Sequence, residues 1–96
     1  MTYYSRREIV ELLTIDEDFI ATLEREEIIC VDASDPERCF SAAMLERVRA
    51  ADTLVHELDV NLPGVSVILR MREELASMRR RLQALAVLDK PGRPRK

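Results

Sequence analysis

Two cysteines and one histidine are the residues of this sequence best suited to metal binding or nucleophilic catalysis. His56 follows Cys39 by 17 positions, a spacing that matches no common zinc motif. Cys30 and Cys39 could face each other across a hairpin, but in a cytoplasmic chain we expect reduced thiols that pack as small hydrophobic groups. For His56 we expect a local hydrogen bond near a helix end.

No pattern for catalysis accompanies these residues. The sequence has no Ser/His/Asp set, no phosphate-binding loop and no pair of carboxylates that would form a cleft. We therefore predict that the protein is not an enzyme and that it uses no metal and no cofactor.

The charged residues are distributed very unevenly along the chain. The net charge is −3, yet residues 8–37 contain eleven acids and one base, a balance of −10. Residues 79–96 contain seven bases and one acid, a balance of +6. The acidic part should repel polyanions and attract basic partners.

Length and composition predict one small, mainly helical domain. The chain has 96 residues, of which 47% are hydrophobic and 34% charged. No apolar run approaches the roughly 20 residues that a membrane span needs. The first ten residues, MTYYSRREIV, contain no apolar signal core, so we expect a cytoplasmic protein.

Two short helices should carry most of the acids. Ser5 and Glu8 form a capping box, which predicts a first helix over residues 5–13. After a turn, Thr14 or Asp16 caps a second helix that ends near residue 27. The residues predicted to face inward from these helices are Ile9, Leu12, Leu13, Phe19, Ile20 and Leu23.

A small hairpin and a third helix follow. Residues 28–31 form a β-like run, residues 32–37 (DASDPE) have turn chemistry, and residues 38–40 can return as the second strand. Ser41 then caps a long helix that ends near Leu58. The residues on its predicted buried side are Met44, Leu45, Val48, Ala51, Leu54, Val55 and Leu58.

The last predicted helix, residues 63–88, has the spacing of a coiled coil. Its apolar residues recur at intervals of 3 and 4, as a dimerisation seam requires. These residues are Ile68, Met71, Leu75, Met78, Leu82 and Leu85. The alternative is a lone helix that packs on its own domain. We predict a homodimer, with a domain over residues 1–60, a dimerisation helix over 61–88 and a disordered basic tail over 89–96.

The order of these elements resembles the MerR-type winged helix-turn-helix. The resemblance is carried by EIVELLTIDEDFIATLEREEII (residues 8–29) and RCFSAAMLERVRAADTLVHEL (residues 38–58). It implies a mainly α fold with a small β-hairpin wing and a long C-terminal dimerisation helix. MerR regulators typically place Arg and Tyr on the second helix, where this chain has Ala21, Thr22 and Leu23, and they place bases in the wing, where this chain has acids. Glu27 stands where a glycine usually ends the helix.

A closer resemblance is to the CbpM family of chaperone modulators. It is carried by HELDVNLPGVSVILRMREELASMRRRLQAL (residues 56–85), with a Pro-Gly helix start after "HEL". The one departure is Leu62, where an aromatic residue often precedes the proline. The resemblance implies a protein that binds the J-domain of a DnaJ-like co-chaperone, CbpA, and restrains its stimulation of a DnaK-type chaperone.

Three functions remain open from the sequence. The first is the J-domain modulator, with the candidate contact residues Asp18, Glu24, Glu27 and Asp32, or with Arg70 and Arg72 if the partner docks on the long helices. The second is a MerR-family DNA-binding transcriptional regulator in which Arg79–Arg81 and the tail bind DNA. The third is a dimeric adaptor for another basic partner. Because DNA affinity depends on Lys and Arg contacts to phosphate, the acidic segment argues against the second. Only the family resemblance favours the first over the third.

Overall fold

Four helices and one two-stranded sheet make up the part of the chain that the structure describes. A computed structural model describes residues 2–89, with side chains as far as residue 87. In chain order the elements are β1 (Tyr3–Tyr4), α1 (Arg6–Leu13), α2 (Glu17–Arg25), β2 (Phe40–Ser41), α3 (Ala42–His56) and α4 (Leu62–Asp89). The predicted mainly α class is confirmed.

The chain divides into two compact units, Met1–Ser66 and Val67–Lys96. The first unit contains both strands, α1 to α3 and the first turn of α4, and the second contains the rest of α4. The tail predicted for residues 89–96 lies outside the described residues, except for Asp89 at the end of α4. No helix within residues 2–89 combines the length and the apolar character that crossing a bilayer requires.

The predicted capping box is present at the start of α1. The Ser5 hydroxyl accepts a hydrogen bond from the Glu8 N–H at 3.1 Å, and Glu8 Oε1 accepts one from the Ser5 N–H at 2.9 Å. Thr14 ends α1 in the left-handed conformation, with φ 55°. Of the two residues predicted to cap α2, Asp16 occupies the N-cap position, although its side chain makes no capping hydrogen bond.

The core of the first unit draws side chains from α1, α2, the following loop, β2, α3 and the start of α4. The buried residues are Ile9, Ile20, Leu23, Ile28, Ile29, Cys39, Phe40, Leu45, Val48, Ala51 and Val65. Phe40 is the largest of the fully buried side chains. Burial of these groups is the main source of the unit's stability.

Two residues predicted to be buried are exposed. Leu12 on α1 is 59% exposed, and Leu58 is 62% exposed. The apolar face of α1 is narrower than its periodicity indicated, so that Ile9 is buried while Leu13 is only half-buried. Leu58 follows the last residue of α3, His56, and is therefore no longer held on the buried side of that helix.

The sheet pairs different strands from those predicted. β1 and β2 are antiparallel, with Tyr3 opposite Ser41 and Tyr4 opposite Phe40. The predicted strand at residues 28–31 is absent from the structure, because the Ile28 and Ile29 N–H groups donate to the carbonyl of Leu23, at 2.9 and 3.3 Å. These two residues complete the end of α2 instead of joining a strand.

Side-chain caps begin the last two helices. The Ser41 hydroxyl accepts from the Met44 N–H at 3.3 Å at the start of α3, as predicted. Before α4, Asn61 Oδ1 accepts from the Gly64 N–H at 2.8 Å. A Cβ at Gly64 would lie 2.8 Å from Val60 Cγ1, so the junction has no room for a larger residue.

Candidate partner-binding surface

Residues of α2, together with Arg6 at the start of α1, line a shallow cleft. The cleft has a volume of about 260 Å³. Its lining residues, called here the α2 cleft, are Arg6, Glu17, Asp18, Ile20, Ala21 and Glu24. Positions 17, 20, 21 and 24 share one helical face, since they are spaced by three, four and seven residues. Two of the predicted contact residues, Asp18 and Glu24, are among the residues that line this cleft.

Glu24 is engaged by Arg6 within the molecule. Arg6 Nη2 donates to Glu24 Oε2 at 2.7 Å, and Arg6 Nε donates to Oε1 at 3.1 Å, so the ion pair is bidentate. The Arg6 guanidinium also lies 5.2 Å from the centroid of the Phe40 ring. The hydrogen bonds to Glu24 raise the pKa of Arg6 above its ordinary value, against a smaller opposing effect of burial.

Glu27, the third predicted contact residue, has an unusual backbone conformation. Its φ is 60°, in the left-handed region that favours glycine. The residue follows the C-cap of α2, Glu26, and both side chains are exposed. The position therefore has the backbone of a helix-ending glycine, but it presents a carboxylate.

Asp32, the fourth predicted contact residue, anchors the loop between α2 and β2. Its Oδ1 accepts from the Ser41 N–H at 2.8 Å, and its Oδ2 accepts from the Ser41 hydroxyl at 2.5 Å. The Asp32 N–H donates to the carbonyl of Cys39 at 2.9 Å. Asp32 is exposed, yet both of its carboxylate oxygens already have partners.

The four predicted contact residues thus fall into two groups. Asp18 and Glu27 are exposed and make no side-chain hydrogen bond or ion pair within residues 2–89, while Glu24 and Asp32 are held by internal partners. Prediction from sequence missed Arg6, because its partner lies 18 positions away and no local pattern connects the two.

A second groove on the first unit lies along α1. It has a volume of about 420 Å³, and its lining residues, called here the Leu12 groove, are Tyr4, Glu8, Glu11 and Leu12. Glu8 Oε2 lies 3.6 Å from Arg38 Nη2. The sequence contained one signal for this groove, since the acids at positions 8 and 11 precede the apolar residue at position 12 at spacings that put all three on one helical face.

Comparison with known proteins assigns the chain to a family. The family model described as "MerR HTH family regulatory protein" matches residues 4–86. The chain belongs to this family. No curated protein and no solved structure matches the chain. In this MerR-family protein, α1 and α2 are the two helices of the helix-turn-helix, and the small antiparallel sheet and the long last helix fit a winged fold. The fold class is as predicted, although the sheet pairs β2 with β1 and not with residues 28–31.

The second unit of this MerR-family chain exposes an apolar stripe along α4. The six residues of the predicted seam, called here the α4 seam, are Ile68, Met71, Leu75, Met78, Leu82 and Leu85. Ile68 is half-buried, and the other five are exposed, with Leu82 the most exposed at 67%. Apolar side chains of this size repeated over four helical turns are typical of a surface that binds another chain.

The candidate ligands for a metal are not brought together. Cys30 is exposed and Cys39 is buried, and both are free thiols. The predicted local hydrogen bond of His56 is confirmed, since its Nδ1 lies 2.8 Å from Asp52 Oδ1 and its ring packs 4.9 Å from the Phe19 ring. Within residues 2–89, no three His, Cys, Asp or Glu side chains cluster as a metal site would require.

Proposed function

We propose that this protein is a non-catalytic modulator that binds the J-domain of a DnaJ/CbpA-like co-chaperone. Binding would occur through the acidic surface of the first unit. It would inhibit the co-chaperone's stimulation of a DnaK-type chaperone. The choice of the J-domain as partner comes from the resemblance of residues 56–85 to the CbpM family. The observation that carries the proposal is the acidic outward face of α2, the helix that reads DNA in helix-turn-helix proteins.

The charge of the first unit opposes DNA binding. Residues 1–66 contain fifteen acids and six bases, a balance of −9. Phosphate contacts need Lys and Arg, and exposed acids such as Glu17 and Asp18 repel phosphate at the position where α2 would enter a groove. Arg6, the one base in the α2 cleft, is already paired with Glu24.

The same charge favours a basic protein partner. Acidic surfaces steer basic proteins during encounter and increase the association rate constant, with a strong dependence on salt. According to the resemblance, the J-domain contacts its chaperone partly through a basic helix. A modulator that covers this helix would prevent the co-chaperone from reaching the chaperone, which accounts for inhibition without any catalytic step.

We further propose that two copies pair through the α4 seam. Five of the six seam residues are exposed in the single chain, and an apolar stripe of this length is an aggregation risk unless another chain covers it. A second copy supplies an identical stripe with matching 3–4 spacing, which is the arrangement of a two-stranded coiled coil.

Two parallel titrations, one with the J-domain and one with DNA, test the proposed function. The protein would be titrated with the J-domain of the CbpA-type co-chaperone from its own source, at low and moderate salt, and with a random DNA duplex in parallel. We expect J-domain binding that weakens with salt, no shift of the DNA, and reduced J-domain stimulation of chaperone ATP hydrolysis. DNA binding without J-domain binding would instead support the MerR-family transcriptional regulator.

A further inference from the structure

The Leu12 groove combines an exposed apolar side chain with acids on the same helical face. Leu12 is 59% exposed, and Tyr4, Glu8 and Glu11 line the groove around it. Positions 8, 11 and 12 lie on one face of α1 because they are three and four residues apart. An apolar centre with a charged rim is the usual composition of a protein-binding site.

The acids of this groove are available to a cationic partner. Glu11 is exposed and makes no hydrogen bond or ion pair within residues 2–89. Glu8 uses Oε1 for the capping box, while its Oε2 lies 3.6 Å from Arg38, a distance too long for a hydrogen bond. The Arg38 side chain is 59% exposed and can move aside for a partner's lysine or arginine.

The α2 cleft is less suited to the same partner. The guanidinium of Arg6 lies in its lining and would repel an incoming cation. Its most enclosed acid, Glu24, is already held by Arg6 in two hydrogen bonds. Its apolar residues are Ile20, which is buried, and Ala21, which offers only a methyl group.

We infer that the Leu12 groove is the docking site for a basic amphipathic helix of the partner. In this arrangement an apolar residue of the partner covers Leu12 and packs against Tyr4, and basic residues one turn away pair with Glu8 and Glu11. The inference rests on the proposed function, since it assigns the J-domain's basic helix to α1. The exposed acids of α2 then steer the partner from a distance and do not form the main contact.

Truncation of Leu12 in the full-length protein tests this docking site. The wild type and Leu12→Ala would be titrated with the J-domain of the CbpA-type co-chaperone by calorimetry. We expect the dissociation constant to increase about tenfold or more, since the truncation removes the apolar anchor of the interface. Leu58→Ala is a matched control, because Leu58 is 62% exposed and lies outside the groove, and it should change the constant less than about twofold.

A second variant keeps the test decisive if Leu12→Ala perturbs folding. Glu11→Gln removes only the charge of an exposed side chain, and it should weaken binding about threefold and reduce its dependence on salt. If the wild type binds and both groove variants bind equally well, the docking site is wrong while the proposed function stands. If the wild type does not bind the J-domain, the proposed function fails and the docking site fails with it.

Discussion

Arg6 and Glu24 form a bidentate ion pair that connects the start of α1 to the last turn of α2, with a shortest N–O distance of 2.7 Å. The pair has two consequences. It holds together the two helices of the helix-turn-helix, and it neutralises the one base in the α2 cleft. The base that lines the cleft beside α2 is therefore already occupied by the protein itself.

Removal of the Glu24 charge should destabilise the first unit moderately. We expect Glu24→Gln to lower the free energy of unfolding by about 0.5–1 kcal/mol, because the pair is bidentate but partly exposed to solvent. Thermal unfolding followed by circular dichroism would show this as a lower melting temperature, by roughly 3–6 °C. Glu26→Gln, which alters an exposed acid with no partner within residues 2–89, should leave the melting temperature unchanged.

The Arg6–Glu24 pair should make the same contribution to the free energy of unfolding across the neutral pH range. The pKa of Arg6 is raised in the folded protein, so its contribution is fully present below the ordinary arginine pKa. This contribution is lost only as the pH rises through the folded pKa, far into the alkaline range. Equal destabilisation by Glu24→Gln at slightly acidic and slightly alkaline pH would agree with a contribution that is lost only at high pH. A large difference between the two pH values would contradict it.

A glycine at position 27 should stabilise the protein. Glu27 has φ 60°, which is unfavourable for a residue with a side chain and allowed for glycine. We expect Glu27→Gly to raise the free energy of unfolding by about 0.5–1 kcal/mol, measured by urea denaturation. Glu26→Gly is the control: the φ of Glu26 is −86°, so glycine there should lower stability.

Acids on the seam should separate the two copies. Leu75→Glu with Leu82→Glu places charges at two positions of the α4 seam, and we expect monomers by multi-angle light scattering. Gln83→Glu with Val87→Glu adds the same charge to exposed positions outside the seam and should leave the dimer intact. An unchanged mass for the seam variant would contradict the proposed pairing.

The exposed acids near α2 should act on the rate of association. Asp18→Asn with Glu27→Gln should lower the association rate constant for the J-domain severalfold at low salt, with little effect at high salt. Stopped-flow fluorescence at two salt concentrations would measure this. Glu46→Gln with Glu57→Gln removes the same charge from α3 and its C-cap, outside residues 8–37, and should have a smaller effect.

Local signals in the sequence were sufficient to predict where the helices begin. The capping box of Ser5 and Glu8 and the N-cap at Ser41 involve residues three positions apart, so they could be predicted from the sequence alone. The fold class followed from the order of these elements. Leu12 shows the limit of this approach, because periodicity gives the direction of an apolar face but not its width.

Contacts between distant residues could not be predicted in the same way. The predicted hairpin joined neighbouring segments, whereas β2 pairs with β1 at the beginning of the chain. The Arg6–Glu24 pair and the Asp32–Ser41 contact likewise depend on the packing of separate elements. Asp18 and Glu27 could be proposed as contact residues from charge alone. Which acids already have partners within the protein is known only from the folded structure.

The pairing of β1 with β2 also has a consequence for protein synthesis. Tyr3 and Tyr4 leave the ribosome before their partners Phe40 and Ser41, which emerge only after α1, α2 and the acidic loop. The sheet can therefore close only once the whole of α1 and α2 has been synthesised. Until then the two tyrosines of the nascent chain lack their strand partners, so this short sheet links folding of the first unit to synthesis of residue 41.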